Sequence, residues 1–291
     1  MPRDDHFTDV TYTGNLSPGE TSRTLNDFVP SPDATHDLGT STNRWKNLWL
    51  SGAINGSTSI IYADAQVGAD AGAKIQAAID ALPSTGGIVD ARGLNGAHTA
   101  AATITIAKSN VLILTSPCLT LTSTADPCIQ IGDGGTTLYS DIWLEGGAEI
   151  EASGSVTKVV WLRGPTIASG AELQRVRIDL HIDGGFANGG FPSTTVVGVY
   201  GDGKLVGPEI SGYIERVGTQ IQLEGTSISD HINPRLYRLT GNNCSRYGIL
   251  AKLSYNLTVE QCDIETAAGT GSPIPIAVDL QGVNGASFTN C

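Results

Sequence analysis

The sequence predicts an all-β solenoid, in which short strands wind into coils that stack on one another behind a single short helix. Three observations carry this expectation. A helical pattern is confined to one stretch around residue 75, strand-length apolar runs recur from Val111 onward, and few positions favour helix. The chain of 291 residues holds 36 Gly and 13 Pro against 1 Met, and 16% of its residues are charged. That length suits one elongated domain with an N-terminal appendage.

Taken in order, residues 1–62 are rich in Thr, Ser, Asn, Asp and Pro and read as a small irregular or short-stranded attachment region. Within it, Trp45, Leu48, Trp49 and Leu50 form an aromatic and aliphatic cluster too large for so short a segment to bury alone. Partner chains, an adjacent coil or a mini-core must cover it. Residues 70–93, DAGAKIQAAIDALPSTGGIVDARG, join a helix to a Gly-rich turn and a buried strand. Asp70 caps the free N–H groups, Ile75, Ile79 and Leu82 share one face, and Pro83 with Gly86-Gly87 ends the helix.

From Val111 follow VLIL, LTL, IQI, DIWL, VVWL, VRIDLHI, VVGVY, EISGYI, QIQL, LYRL, GILAKL, LTVEQCDIE, IAVDL and ASFTN, with turn residues between them. Each is too short to stand alone. Ile221, Ile249 and Ala277 are candidate equivalent positions spaced by 28 (249 − 221 and 277 − 249), inside the range of repeat periods. Inward positions need only be apolar and stack on the coil above, while turns vary in length outside. A β-sandwich also has alternating strands, but a helix placed before all of them weighs against it.

The helix and turn of residues 70–93 resemble the opening of the pectate-lyase-like superfamily of right-handed parallel β-helices, where a helix of this pattern plugs the first coil. The resemblance implies that residues 63–291 form a right-handed parallel β-helix with an N-terminal capping helix. Residues 38–52, LGTSTNRWKNLWLSG, resemble a motif that recurs in bacteriophage tail fibres and related virion proteins. Together the two resemblances imply a tail-fibre or tailspike-like virion protein. Residues 1–62 would then attach to other virion tail proteins, the β-helix would meet a bacterial surface polysaccharide, and the assembly would be a homotrimer. The final GASFTNC opens another strand without a polar cap, so the natural chain is expected to continue. A cell-encoded polysaccharide lyase or glycoside hydrolase of the same superfamily, and a structural spacer without a glycan site, are the competing readings.

A net charge of −12 argues against nucleic acid, which needs clustered Lys and Arg. The cysteines at 118, 128, 244, 262 and 291 form no CxxC pair and have no His at metal-ligand spacing, so neither a zinc site nor a disulfide framework is expected. They read as small buried hydrophobes. The opening MPRDDHFTDV has no apolar core of a signal peptide, and no run approaches the ~18 apolar residues of a membrane span, so no membrane partner is expected. The absence of GxxxxGK[ST], HExxH and GxSxG sets aside nucleotide, zinc-protease and α/β-hydrolase chemistry.

Residues 175–183, RVRIDLHID, offer the best candidate surface. Val176, Ile178, Leu180 and Ile182 alternate with Arg175, Arg177, Asp179, His181 and Asp183, so one face is core and the other a charged stripe. Aligning Ile182 with Ile214 and Ile264 puts Asp183, Glu215 and Glu265 at matching outward positions, with Thr240 after Leu239 in the intervening coil. Glycoside hydrolysis wants two carboxyls about 5–5.5 Å apart for retention or about 6.5–9.5 Å for inversion. Asp179 and Asp183, about 13 Å apart along one strand, fit neither, whereas Asp183 and Glu215, with backbones about 4.8 Å apart on adjacent coils, can fit either.

Asp183 and Glu215 are therefore the catalytic candidates, with His181 as a proton carrier. Arg177, Asp179, Tyr213 and Glu265 are the candidate substrate-binding residues, Tyr213 stacking on a sugar ring and Arg177 pairing with an acidic sugar. The plainer reading is a solvated face whose strand end tolerates Asp before Gly. Lyase chemistry within the same resemblance would use Ca²⁺ held by several carboxylates. No close-packed run of Asp supports that ion, so neither a metal site nor a cofactor is expected.

Overall fold

A computed structural model describes residues 59–165, 170–187, 191–192, 195–227, 230–266 and 275–291. The attachment region expected over residues 1–62, with Trp45 and Trp49, lies outside the described residues except for its last four. Those include Ile60–Tyr62, a strand paired in parallel with Gly87–Asp90.

Among the described residues the protein is all-β apart from one helix, Ala71–Ala81. Asp70 Oδ1 accepts from the Ala73 N–H at 2.7 Å, and Oδ2 accepts from the Ala101 N–H at 3.0 Å, so the cap also ties the helix to the strand region that follows. Ile75, Ala78 and Ile79 are buried on one face. At the other end Lys108 Nζ donates to the carbonyls of Ile79, Asp80 and Leu82 at 2.9, 2.9 and 2.7 Å, which places a cation on the negative end of the helix.

The strands form a 15-stranded sheet, a 7-stranded sheet and one small antiparallel pair, Phe186–Ala187 with Phe191–Pro192. The smaller of the two main sheets keeps chain order: Ile104–Ile106, Ile129–Ile131, Lys158–Arg163, Val197–Asp202, Thr219–Glu224, Tyr247–Lys252 and Ile276–Gln281. Between each of these and the next, the chain passes through the larger sheet. Parallel neighbours require a crossover, and between neighbours of the smaller sheet each crossover runs through strands of the larger one, whereas the helix Ala71–Ala81 joins Ile60–Tyr62 to Gly87–Asp90.

Register then stacks like on like. In the larger sheet Val89, Ile113, Leu144, Ile178, Ile210, Leu236 and Val259 are successive partners, all buried. In the smaller sheet Ile129, Val160, Val199, Ile221 and Ile249 do the same. Each such side chain contributes about 1.5–3 kcal/mol by leaving water. Ile249 pairs with Val278 rather than with Ala277, one position later than the interval of 28 predicts, because turns between coils differ in length. Polar groups also enter the interior, among them Ser123, Gln220, Asp230 and Ser254. His231, in register between Leu205 and Ser254, is fully buried as well, and burial pushes its imidazole below the ordinary value. Phe288, the partner of Val259, is 45% exposed.

Candidate functional site

Two outward faces carry clustered polar chemistry. On the larger sheet, the strand Leu173–Asp183 bears the stripe read from the sequence, with Val176, Ile178, Leu180 and Ile182 buried beneath it. Its partner strand, Glu209–Glu215, sets Glu209 opposite Arg177, Ser211 opposite Asp179, Tyr213 opposite His181 and Glu215 opposite Asp183. His181 Nε2 lies 3.3 Å from Glu215 Oε1, Nδ1 lies 3.8 Å from Glu149 Oε1, and the ring meets Tyr213 edge-to-face at 4.9 Å. The Tyr213 hydroxyl donates to Glu215 Oε2 at 3.4 Å and accepts from Asn242 Nδ2 at 3.3 Å. Arg216 contacts Glu215 Oε1 at 3.4 Å and pairs with Asp183.

Two positions depart from the sequence alignment. Asp183 does not face outward: it is 2% exposed, accepts from the Gly185 N–H at 2.8 Å and is clamped by Arg216, because the strand ends there and alternation stops. In the intervening coil Gly241 lies opposite Ile214 and Asn242 opposite Glu215, while Thr240 lies opposite Tyr213. An extra residue accounts for one step of that difference: Ile210 pairs with Leu236 but Gly212 pairs with Leu239, and Arg238 takes up the slack at φ 52°. Ile264 stands in register with Ile182 and Ile214 through Gly241, as aligned, and Glu265 follows it, exposed on Asp263–Thr266 with the Asn242 strand between it and Glu215. Arg177 sits between Glu145 at 3.3 Å and Glu209 at 3.5 Å, and Arg235 continues the ladder to Glu209 and Glu260 at 3.0 Å each.

The smaller sheet is concave outside. A cavity of about 470 Å³ is lined by residues that include Trp161, Arg163, Tyr200, Asp202, Glu224 and Lys252. A second, of about 270 Å³, includes Gln222, Arg246, Tyr247 and Gln281 and shares Glu224 and Lys252 with the first. The two cavities flank the Glu224–Lys252 ion pair, which lines both. Their floor is two rows in register, Trp161–Tyr200–Gln222–Leu250 and Arg163–Asp202–Glu224–Lys252.

Trp161 Nε1–H donates to Asp202 Oδ1 at 2.8 Å, while the Lys158 ammonium and Arg163 guanidinium lie 5.1 and 4.6 Å from the indole centre. Lys252 Nζ and Gln222 Nε2 both donate to Glu224 Oε1 at 2.7 Å. Burial pushes the Asp202 carboxyl up, and the Trp161 hydrogen bond and nearby cations offset that only in part. Burial also opposes charge on Glu224, but the hydrogen bonds from Lys252 and Gln222 outweigh it and hold this carboxyl low. Burial, then the charges of Asp202 and Glu224, push the Tyr200 phenol up to about 12. Two carboxyls on adjacent coils are thus driven in opposite directions.

No known family profile matches the chain, and no curated protein does. A solved structure of Geobacillus virus E2 ORF18 is similar over 79% of this chain and 60% of its own, at 12% identity and a TM-score of 0.28. The chain therefore spans about three-fifths of that protein's length.

In chemical terms this face can hold a polar polymer against an aromatic and cationic wall, with two carboxyls whose proton affinities are pushed apart. Among the described residues no group of His, Cys, Asp and Glu has a metal-holding arrangement, and no helix is long and apolar enough to cross a membrane. Sequence reasoning missed this face. A signal was present in VVWLR, GVYGD, IQLE and ILAK, where a charged residue follows two positions after each outward Trp161, Tyr200, Gln222 and Leu250.

Proposed function

We propose that the chain is a phage tail-fibre or tailspike-like protein whose stacked strands form a right-handed parallel β-helix, plugged by the helix Ala71–Ala81. Its small-sheet groove holds and hydrolyses a bacterial surface polysaccharide. The observation that carries the reading is that two cavities flank the shared pair Glu224 and Lys252 on neighbouring strands about 4.8 Å apart, which we read as subsites of one groove. A linear polymer fits such a groove better than a compact ligand. The virion assignment rests on the motif at residues 38–52, and with it come attachment to other tail proteins through residues 1–62 and a homotrimeric assembly.

In the groove Asp202 gives its proton to the leaving glycosidic oxygen as the C–O bond breaks, and Glu224 takes a proton from the water whose oxygen forms the new bond. Lys252 and Gln222 hold Glu224 in place for that step. A second reading keeps the chemistry on the larger sheet, with Glu215, Asp183 and His181 in the catalytic roles and Arg177, Asp179, Tyr213 and Glu265 binding substrate. The 3.3 Å approach of His181 to Glu215 favours it.

The test is a panel of capsular and O-antigen polysaccharides, following reducing ends and the absorbance of unsaturated uronate. Reducing ends without unsaturation, lost in Asp202→Asn and Glu224→Gln but kept in Glu215→Gln, support the groove. Loss in Glu215→Gln and His181→Ala alone moves the site to the larger sheet. Binding without cleavage, weakened by Trp161→Ala, makes the protein a receptor-binding fibre. Neither binding nor cleavage across the panel leaves a structural spacer and refutes the proposal.

A further inference from the structure

Two cysteines stand one above the other, each just past one of two paired strands. Cys262 follows the strand Ser254–Glu260 and Cys291 follows Asn284–Thr289, and these strands pair in parallel with Glu260 opposite Thr289. The ladder runs on past the strand ends, since the Gln261 N–H donates to the Thr289 carbonyl at 2.9 Å. Gln261 and Asn290 both turn at φ 55°, so the chain leaves both strands by the same left-handed step.

The sulfurs repeat as well. Cys262 Sγ lies 3.4 Å from the Glu260 carbonyl and 3.5 Å from that of Leu236, while Cys291 Sγ lies 3.4 Å from the Thr289 carbonyl and 3.5 Å from that of Val259. Leu236 and Val259 are themselves register partners, so each thiol makes the same two contacts one coil apart. Neighbours in register on parallel strands stand about 4.8 Å apart, inside the Cα separation of about 4.4–6.8 Å that a disulfide spans.

We infer that Cys262 and Cys291 are a cross-coil dithiol that closes to a disulfide in the presence of a small disulfide oxidant and so fastens Asn284–Thr289 to the stack. Both thiols are free in the structure, Cys291 exposed and Cys262 buried, and burial pushes the Cys262 thiol up. The order of events follows. The Cys291 thiolate attacks the oxidant's S–S bond, forming a mixed disulfide and releasing one small thiol. Cys262 sulfur then attacks Cys291 sulfur, its proton leaving with the second small thiol. The two cysteines lose two electrons and two protons, and the oxidant gains both as two thiols. Burial pushes the thiols of Cys128 and Cys244 up to about 11 and 12, and both stay out of the exchange. Cys118 is exposed and has no partner in register to complete the second step.

The full chain is incubated with oxidised glutathione, its free thiols are counted, and its peptides are mapped under non-reducing conditions. The expected product links the Cys262 and Cys291 peptides, forms equally in Cys118→Ser, and is lost in Cys291→Ser. Amide exchange of residues 284–289 slows by about tenfold or more and recovers with dithiothreitol. The circular dichroism and melting of Cys291→Ser, expected to match those of the parent chain, show that the other coils are kept. A stable glutathione adduct on Cys291 with Cys262 still free, or an unchanged thiol count in the folded chain, overturns the inference.

Discussion

The two outward faces of the stack use the same residue types to opposite ends. On the larger sheet Glu145, Arg177, Glu209, Arg235 and Glu260 alternate in sign from coil to coil, and each charge finds its neighbour's opposite. On the smaller sheet the row Arg163, Asp202, Glu224, Lys252 sets two carboxyls side by side under a concave surface, and their proton affinities separate. In the first row every charge is matched across strands; in the second, Glu224 is paired with Lys252 while Asp202 lies buried beside Trp161, so two neighbouring carboxyls end in different surroundings. Charge alone did not distinguish them, and sequence of sign along the row did.

The sharpest way to break this contrast is at the groove carboxyls. Asp202→Asn and Glu224→Gln are each expected to lower turnover of a cleaved glycan by about 10²–10⁴-fold with binding retained, measured as initial rates beside calorimetric titration. Equal losses from Arg177→Ala would erase the distinction. Next in size is the interior that both faces share: Ile178→Ala should cost about 2–5 kcal/mol in a denaturant titration, since neighbours above and below cannot close the gap.

Acid dependence sharpens the comparison further. His231 has a lowered pKa in the folded chain, so its neutral form is kept while the unfolded chain takes up a proton near pH 6.5. Its contribution to stability is therefore intact above that pH and is lost as pH falls towards the lowered folded value. In thermal melts between pH 7 and 5, His231→Leu should flatten that loss. The smallest effect belongs to the ladder: Arg235→Ala, at a half-exposed position, should change stability by less than about 1 kcal/mol, and added salt should shrink the difference.

Much of the architecture was legible because it depends on local pattern. Asp70, Ile75 and Ile79 mark the helix by cap and spacing, and the parity of residues 175–183 gives the buried side of that strand. What failed were features that depend on how many residues each coil spends in its turns. The register of the coil after Glu215, with one extra residue between Leu236 and Leu239, sets Asn242 rather than Thr240 opposite Glu215, and the turn after Asp183 drew that carboxyl inward. The groove was hidden for the same reason. Trp161, Tyr200 and Gln222 become neighbours only through register, and the intervals between them are unequal, so no fixed period lines them up.

The alternation of the chain between two sheets gives this surface the character of a ruled scale. Each visit to the smaller sheet adds one graduation to every outward row, about 4.8 Å from the last, without altering the graduations already laid down. Lengthening the groove is then a matter of adding a visit, and changing what it reads at one mark is a matter of changing one residue. The turns, which carry the irregular lengths, can drift without moving any mark on the scale.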